Sequence, residues 1–423
     1  MTTWTKQTLG NCVNLLSGFP FKSHYFSNEP DDICLVKGEN IGQGEILWNI
    51  SKKWPIIEWT KYEKFQLEPD DVIVAMDRPW VPSGLKWANV KKGDPKALLV
   101  QRCARLRSKK DILDQIFLKY LIGGPEFVNY IKPITTGVNV PHISGRQILD
   151  FKLNLPPIAV QRRISNILSS YDNQINNNER RIKILEEMAQ RLYTEWFVNF
   201  RFPGHEKVKM VDSPLGKIPA SWSINKIEEK FNVVLGGTPS RKRTSYWENG
   251  TIPWINSGKV NEIRILEESE LITEEALRKS AAKIMPKRTT LIAITGATLG
   301  QVSLTEIECC ANQSVVGVFD ETEKFSEYIF LKIKDKIRHI IALQGGGAQP
   351  HINKDIVSSI KIVIPHEDII NVFSSKVKPI FDGISVLLFQ NKNLKETRDL
   401  LIPQLVTGRR ELKNDQRSQA AKK

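Results

Sequence analysis

The chain has 423 residues, 41% of them hydrophobic, and 61 basic against 47 acidic side chains leave it at +14. That length suits two ordinary domains plus long helices. With no 18-residue apolar run and no signal-peptide core in MTTWTKQTLG, a membrane protein or a secreted one is not expected, and the reading is a soluble, intracellular protein.

Five cysteines without a CxxC spacing argue against a disulfide framework or a zinc site; Cys309 and Cys310 lie in a strand-like stretch and are expected to be buried. The cationic surplus favours a polyanionic partner.

Residues 1–155 alternate strand-like runs with turns and form the first expected domain. Its early loop, GFPFKSHYF, presents Lys22, His24 and Tyr25. Val72–Ala75 and Leu98–Val100 read as strands, and 111–122 as a helix capped by Asp111. A polar loop carrying Thr136 and Asn139 leads to the turn Pro141-His142-Ile143-Ser144, and FKLNLP alternates as a strand does.

Residues 156–200 form one long helix. Apolar-type positions recur at Ile164, Leu168, Tyr171, Ile175, Asn178, Ile182, Leu185, Ala189, Leu192 and Trp196, with gaps of 4 and 3 in strict alternation. That is a coiled-coil seam. At about 1.5 Å per residue the seam spans roughly 48 Å. A Pro-, Gly- and Lys-bearing linker, 201–212, follows.

The second domain, 213–364, opens on GGTPSRKRTSYW, with Arg241, Lys242, Arg243, Tyr246 and Trp247, and continues to Lys259 in WINSGKV. Thr290–Ile294 and Ser314–Val318 read as strands, 326–343 as a helix, and Gln344 and Gln349 flank a glycine loop. Residues 365–408 repeat the heptad at Phe373, Val377, Ile380, Ile384, Leu387, Asn391, Leu394, Arg398, Leu401 and Leu405. A basic tail, 409–423, closes the chain.

The second half repeats the first. A shift of 209 residues carries Pro141-His142-Ile143-Ser144 onto Pro350-His351-Ile352-Asn353, and one heptad onto the other. Ile116-Phe117-Leu118-Lys119 recurs as Ile329-Phe330-Leu331-Lys332. Ser17-Gly18-Phe19-Pro20 resembles Gly236-Gly237-Thr238-Pro239, and MDRPWVPSG stands where ITGATLGQV stands in the second half. The first helix leaves one domain for the other and the second leads back. The helices should therefore run antiparallel with one domain at each end about an approximate two-fold axis. In that register Asn178 faces Asn391.

Catalytic motifs are absent: no GxxxxGK[ST], no HExxH, no GxGxxG opening a helix. Asn154-Leu155-Pro156-Pro157-Ile158 departs from the NPP-aromatic motif of amino-methyltransferases, and its prolines suit a helix start. His142 and His351 lack a partner nearby in sequence and read as turn residues. What remains is chemistry that reads a duplex. Arg and Lys suit guanine or phosphate, and Gln or Asn suits adenine.

In ERRIKILEEMAQRLYTEWFVNFRFPGHE, GKIPASW, GGTPSRKRTSYWENGTIPWINSGKV and LLIPQLVTGRREL, the chain resembles the specificity subunits of type I restriction–modification enzymes. The resemblance implies two target-recognition domains of mixed α/β (α+β) fold, separated by an antiparallel coiled coil of two long helices. Each domain would read one half of a bipartite, asymmetric site in double-stranded DNA. The helices would act as a ruler and dock two modification (methyltransferase) subunits, to which restriction subunits can add. It also implies no cofactor in this chain: S-adenosylmethionine, ATP and Mg belong to the partner subunits. A structural coiled-coil adaptor is the competing reading, but an adaptor has no use for basic and aromatic loops in equivalent places twice.

Overall fold

The computed structural model describes residues 3–137, 140–343 and 352–412. The fold is mixed α+β, and the chain divides into two compact units that cut across the order of the sequence. One holds residues 1–175 with 393–423, and the other holds 176–392. Each unit thus contains one sheet-based domain together with a portion of both long helices.

In the first unit a five-stranded sheet has the order Val13–Ser17, Cys103–Ser108, Val72–Ala75, Trp87–Asn89, Gln43–Gly44, with only the last pair parallel. A second sheet sets Ile33–Val36 between the parallel strand Ala97–Leu99 and the antiparallel strand Lys53–Trp54. Thr5–Thr8 pairs with Lys152–Leu155, which leads directly into the first long helix. The apolar runs that read as strands are buried on both faces: Val72, Ile73, Val74 and Ala75 are all inaccessible.

The second unit repeats this plan. Its large sheet runs Asn232–Leu235, Val315–Phe319, Thr290–Ala293, Val302–Thr305, Arg264–Ile265, again with only the last pair parallel. Ile252–Ile255 lies between Cys310–Ala311, parallel, and Glu270–Ile272, antiparallel. Ser223–Lys226 pairs with Lys361–Ile364 ahead of the second long helix. All five cysteines are buried and unbridged.

One cap differs from the sequence reading. The helix begins at Gln115, and Asp114, not Asp111, accepts the amide of Phe117 at 2.9 Å. Asp111 instead turns the chain at φ 68°. Asp114 is the better placed of the two, because its carboxylate also accepts the Ser165 hydroxyl at 2.6 Å and so joins this helix to the first long one.

The long helices span Ile158–Tyr193, ending in a π turn over Thr194–Val198, and Glu367–Val406. Their portions within the second unit run antiparallel. Asn178 donates to Asn391 at 2.9 Å in an otherwise mostly apolar seam. Leu185 lies against Gly383, and the Trp196 ring meets Phe373 with centroids 5.8 Å apart. Ile164, Leu168, Ile175, Ala189, Phe373, Val377, Ile384, Leu387 and Leu405 are buried, while Tyr171, Ile182, Leu185, Leu192, Ile380, Leu394 and Leu401 are half-buried.

Each unit fastens its domain to the helices differently. In the first, Asp172 accepts from Lys119, from the Tyr120 hydroxyl at 2.7 Å and from Arg398 at 2.7 Å. Burial alone would raise the Asp172 carboxyl, but these three donors more than offset it and hold it below the usual carboxylate range. Leu405 and Val406 belong to the same core as Leu9 and Phe117, and Gly408 lies under the Trp4 ring.

In the second unit the 209-residue repeat puts Phe381 where Asp172 stands. The Arg264 guanidinium sits 4.1 Å from that ring and pairs with Glu306 at 3.2 Å, and Arg288 reaches Asp382 at 2.6 Å.

Candidate nucleic-acid interface

In the second unit the GGTP loop owes its glycines to close approach. A side chain at Gly236 would lie 2.2 Å from the Asn312 carbonyl oxygen, and one at Gly237 would lie 2.3 Å from that of Ala281. Gly236 donates to Val315 and Gly237 to Ala311, fixing the loop on the sheet's edge. The aromatic residues that follow hold it from inside. Tyr246 is buried with Trp254, and the half-buried Trp247 packs edge-on to Trp254 at 5.2 Å.

The basic side chains lie outside this aromatic base. Arg241 stacks 3.6 Å over the Trp247 ring and forms a two-point pair with Glu270 at 2.6 and 2.7 Å. The pair lowers the Glu270 carboxyl and raises the guanidinium. Lys242 is exposed, and Arg243 donates to the Tyr246 hydroxyl at 2.7 Å. Lys259 is more enclosed, held by Glu262 and Glu267 at 3.2 Å each, and Glu267 also takes Lys392 at 2.6 Å.

In the first unit Gly18 approaches Val100 as Gly236 approaches Asn312, and its amide donates to Cys103 as that of Gly236 does to Val315. The structural match is therefore Gly18 with Gly236, one residue out of step with the string comparison. Lys22, His24 and Tyr25 are all exposed around a single 3-10 turn. The His24 and Tyr25 rings are 4.0 Å apart. Thr136 is exposed and exchanges two backbone bonds with His142. Asn139, Gln344 and Gln349, with His351, lie outside the described residues.

His142 has a partner that its sequence neighbours do not supply: its Nδ1 lies 2.5 Å from Asp77 Oδ1, and Asp77 also pairs with Arg102 at 3.1 Å. Asp77 and Arg102 stand on the wall of a cleft of about 610 Å³, which Lys37, Arg78, Lys86 and Gln101 also line. The sequence reading did not single out these six residues. The signal was there in MDRPWVPSG, the string that stands in place of ITGATLGQV. The strands that bring it against residues 100–102 are far apart in the chain.

The family model for the type I restriction modification DNA specificity domain matches residues 1–187 and again 219–394. The chain belongs to the family of type I restriction–modification specificity subunits. Among curated specificity subunits, that of the MjaIX enzyme of Methanocaldococcus jannaschii is 25% identical over 302 residues, 71% of this chain and 70% of its own length. That of the HindI enzyme of Haemophilus influenzae is 23% identical over 353 residues, covering 69% and 76%. The crystal structure of a type I S subunit from M. genitalium superposes with a TM-score of 0.61 over 96% of each chain, at 14% identity, which shows a shared fold. Among the described residues no helix of this specificity subunit is long and apolar enough to cross a membrane.

Proposed function

We propose that this specificity subunit is the non-catalytic reader of a type I restriction–modification complex. Each domain reads one half of a bipartite, asymmetric duplex site. The paired helices set the spacing between the halves and dock two modification subunits, to which restriction subunits add. Adenine methylation with S-adenosylmethionine, and ATP- and Mg-dependent cleavage, then belong to those partners.

One observation carries the reading: the same sheet order, directions and glycine-anchored loop occur twice in one chain, on different side chains. Two readers that differ in sequence suit two half-sites that differ in sequence. The exposed cations of the second loop and the cationic cleft of the first supply the contacts that duplex phosphates and base edges require.

Methylome sequencing of a host carrying the complete system tests it. The expected result is one methylated motif made of two unlike halves around a fixed non-specific spacer. A single continuous motif, or none, would overturn the proposal.

A further inference from the structure

The turn beside the cleft of the first unit has a counterpart in the second, and the comparison isolates one residue. Both turns begin where the strand ending at Ala75 or Ala293 runs out. There Ile143 donates to Met76, as Ile352 donates to Ile294. Two residues beyond Met76 stands Arg78, and two beyond Ile294 stands Gly296.

Both are left-handed, with φ of 46° and 72°. Glycine adopts that conformation freely; a residue with a Cβ does so under strain. The first unit therefore keeps an arginine where the fold itself favours glycine. Among the described residues an added Cβ at Gly296 would meet nothing within 4 Å.

The neighbours of Arg78 are engaged elsewhere. Asp77 is taken by His142 and Arg102, Lys37 by Glu39 at 2.9 Å, and Lys86 by the Gly38 carbonyl at 2.8 Å. Arg78 is exposed on the cleft lining and makes no side-chain hydrogen bond or ion pair among the described residues. A strained backbone that presents an unengaged cation to a cationic cleft is the arrangement expected of a binding group.

We infer that this cleft is the base-reading site of the first domain and that Arg78 is its specificity-determining side chain, donating two N–H groups to the O6 and N7 of a guanine. Gly296 leaves the second domain without that contact, so the two half-sites differ at the corresponding base pair. The inference rests on the reading of the first unit as a recognition domain.

The test is Arg78→Gly, with Arg78→Lys beside it, in the full-length chain assembled with its companion subunits and presented with a randomised duplex library. Because glycine suits the backbone, Arg78→Gly should melt at the same temperature or higher. Its selected motif should lose one guanine in one half only, and affinity for the wild-type motif should fall roughly five- to hundred-fold. Arg78→Lys, without the planar fork, should not restore that guanine.

An unchanged motif in Arg78→Gly would overturn the inference. So would a uniform loss on all sequences with a salt dependence shallower by about one phosphate contact. If the wild-type complex selects no motif, the recognition function itself fails, a result separate from either variant.

Discussion

At the scale of single residues, the repeat exposes a lysine without its counterion. Lys119 has Asp172; its equivalent, Lys332, is buried, and the repeat puts Phe381 in place of that carboxylate. Burial first, and Lys336 second, pull the Lys332 ammonium down to about 8. Its folded value thus lies below the unfolded one, so between about pH 8 and 10.5 the unfolded chain binds more protons and stability should rise with pH. Lys332→Met keeps the volume and removes the charge. It should stabilise the protein at pH 7 by up to about 3 kcal/mol, and it should abolish that alkaline rise. Denaturant titrations at pH 7, 8.5 and 10 check both; a wild-type curve flat across this range would contradict the account.

At the scale of elements, the long helices were legible because heptad spacing is local: ten positions in each half, read from one stretch of chain, fix the seam. The Asn178–Asn391 pair is its polar rung. Replacing Asn391 alone with Leu removes the acceptor 2.9 Å from the Asn178 amide and should cost about 1–3 kcal/mol, whereas replacing both should recover most of that loss. Thermal melts of the two single variants and the double variant give the coupling directly. A double variant as unstable as the sum of the singles would show that the amides do not act as a pair.

The cleft was not legible for the opposite reason. Asp77 and His142 are 65 residues apart, and nothing in either segment names the other; only sheet topology brings them together. The basic loop of the second domain was legible as a cluster, but not the division of labour within it, in which Tyr246 is buried to support Arg243 while Arg241 is clamped by Glu270.

At the scale of the whole molecule, the sequence reads as four consecutive blocks, whereas the first compact unit is discontinuous. That matters for domain exchange. Replacing residues 1–155 with those of another specificity subunit should change one half of the methylated motif and leave the other intact. Leu405 and Val406 lie in the core contributed mainly by that block, so an exchange that also carries over 393–412 should melt higher than one that does not. Methylome sequencing paired with melting curves distinguishes the two effects, and a swap that alters both half-sites would contradict separate readers.

The same feature orders events on the ribosome. Residues 1–175 emerge before 176–392, so the first unit's core lacks Leu405 and Val406 until the second unit has been made. At 5–20 residues per second, synthesis of the roughly 220 residues in between takes on the order of 10–40 s. For that interval the nascent protein carries an apolar core without Leu405 and Val406, a target for chaperones that disappears when the second long helix docks.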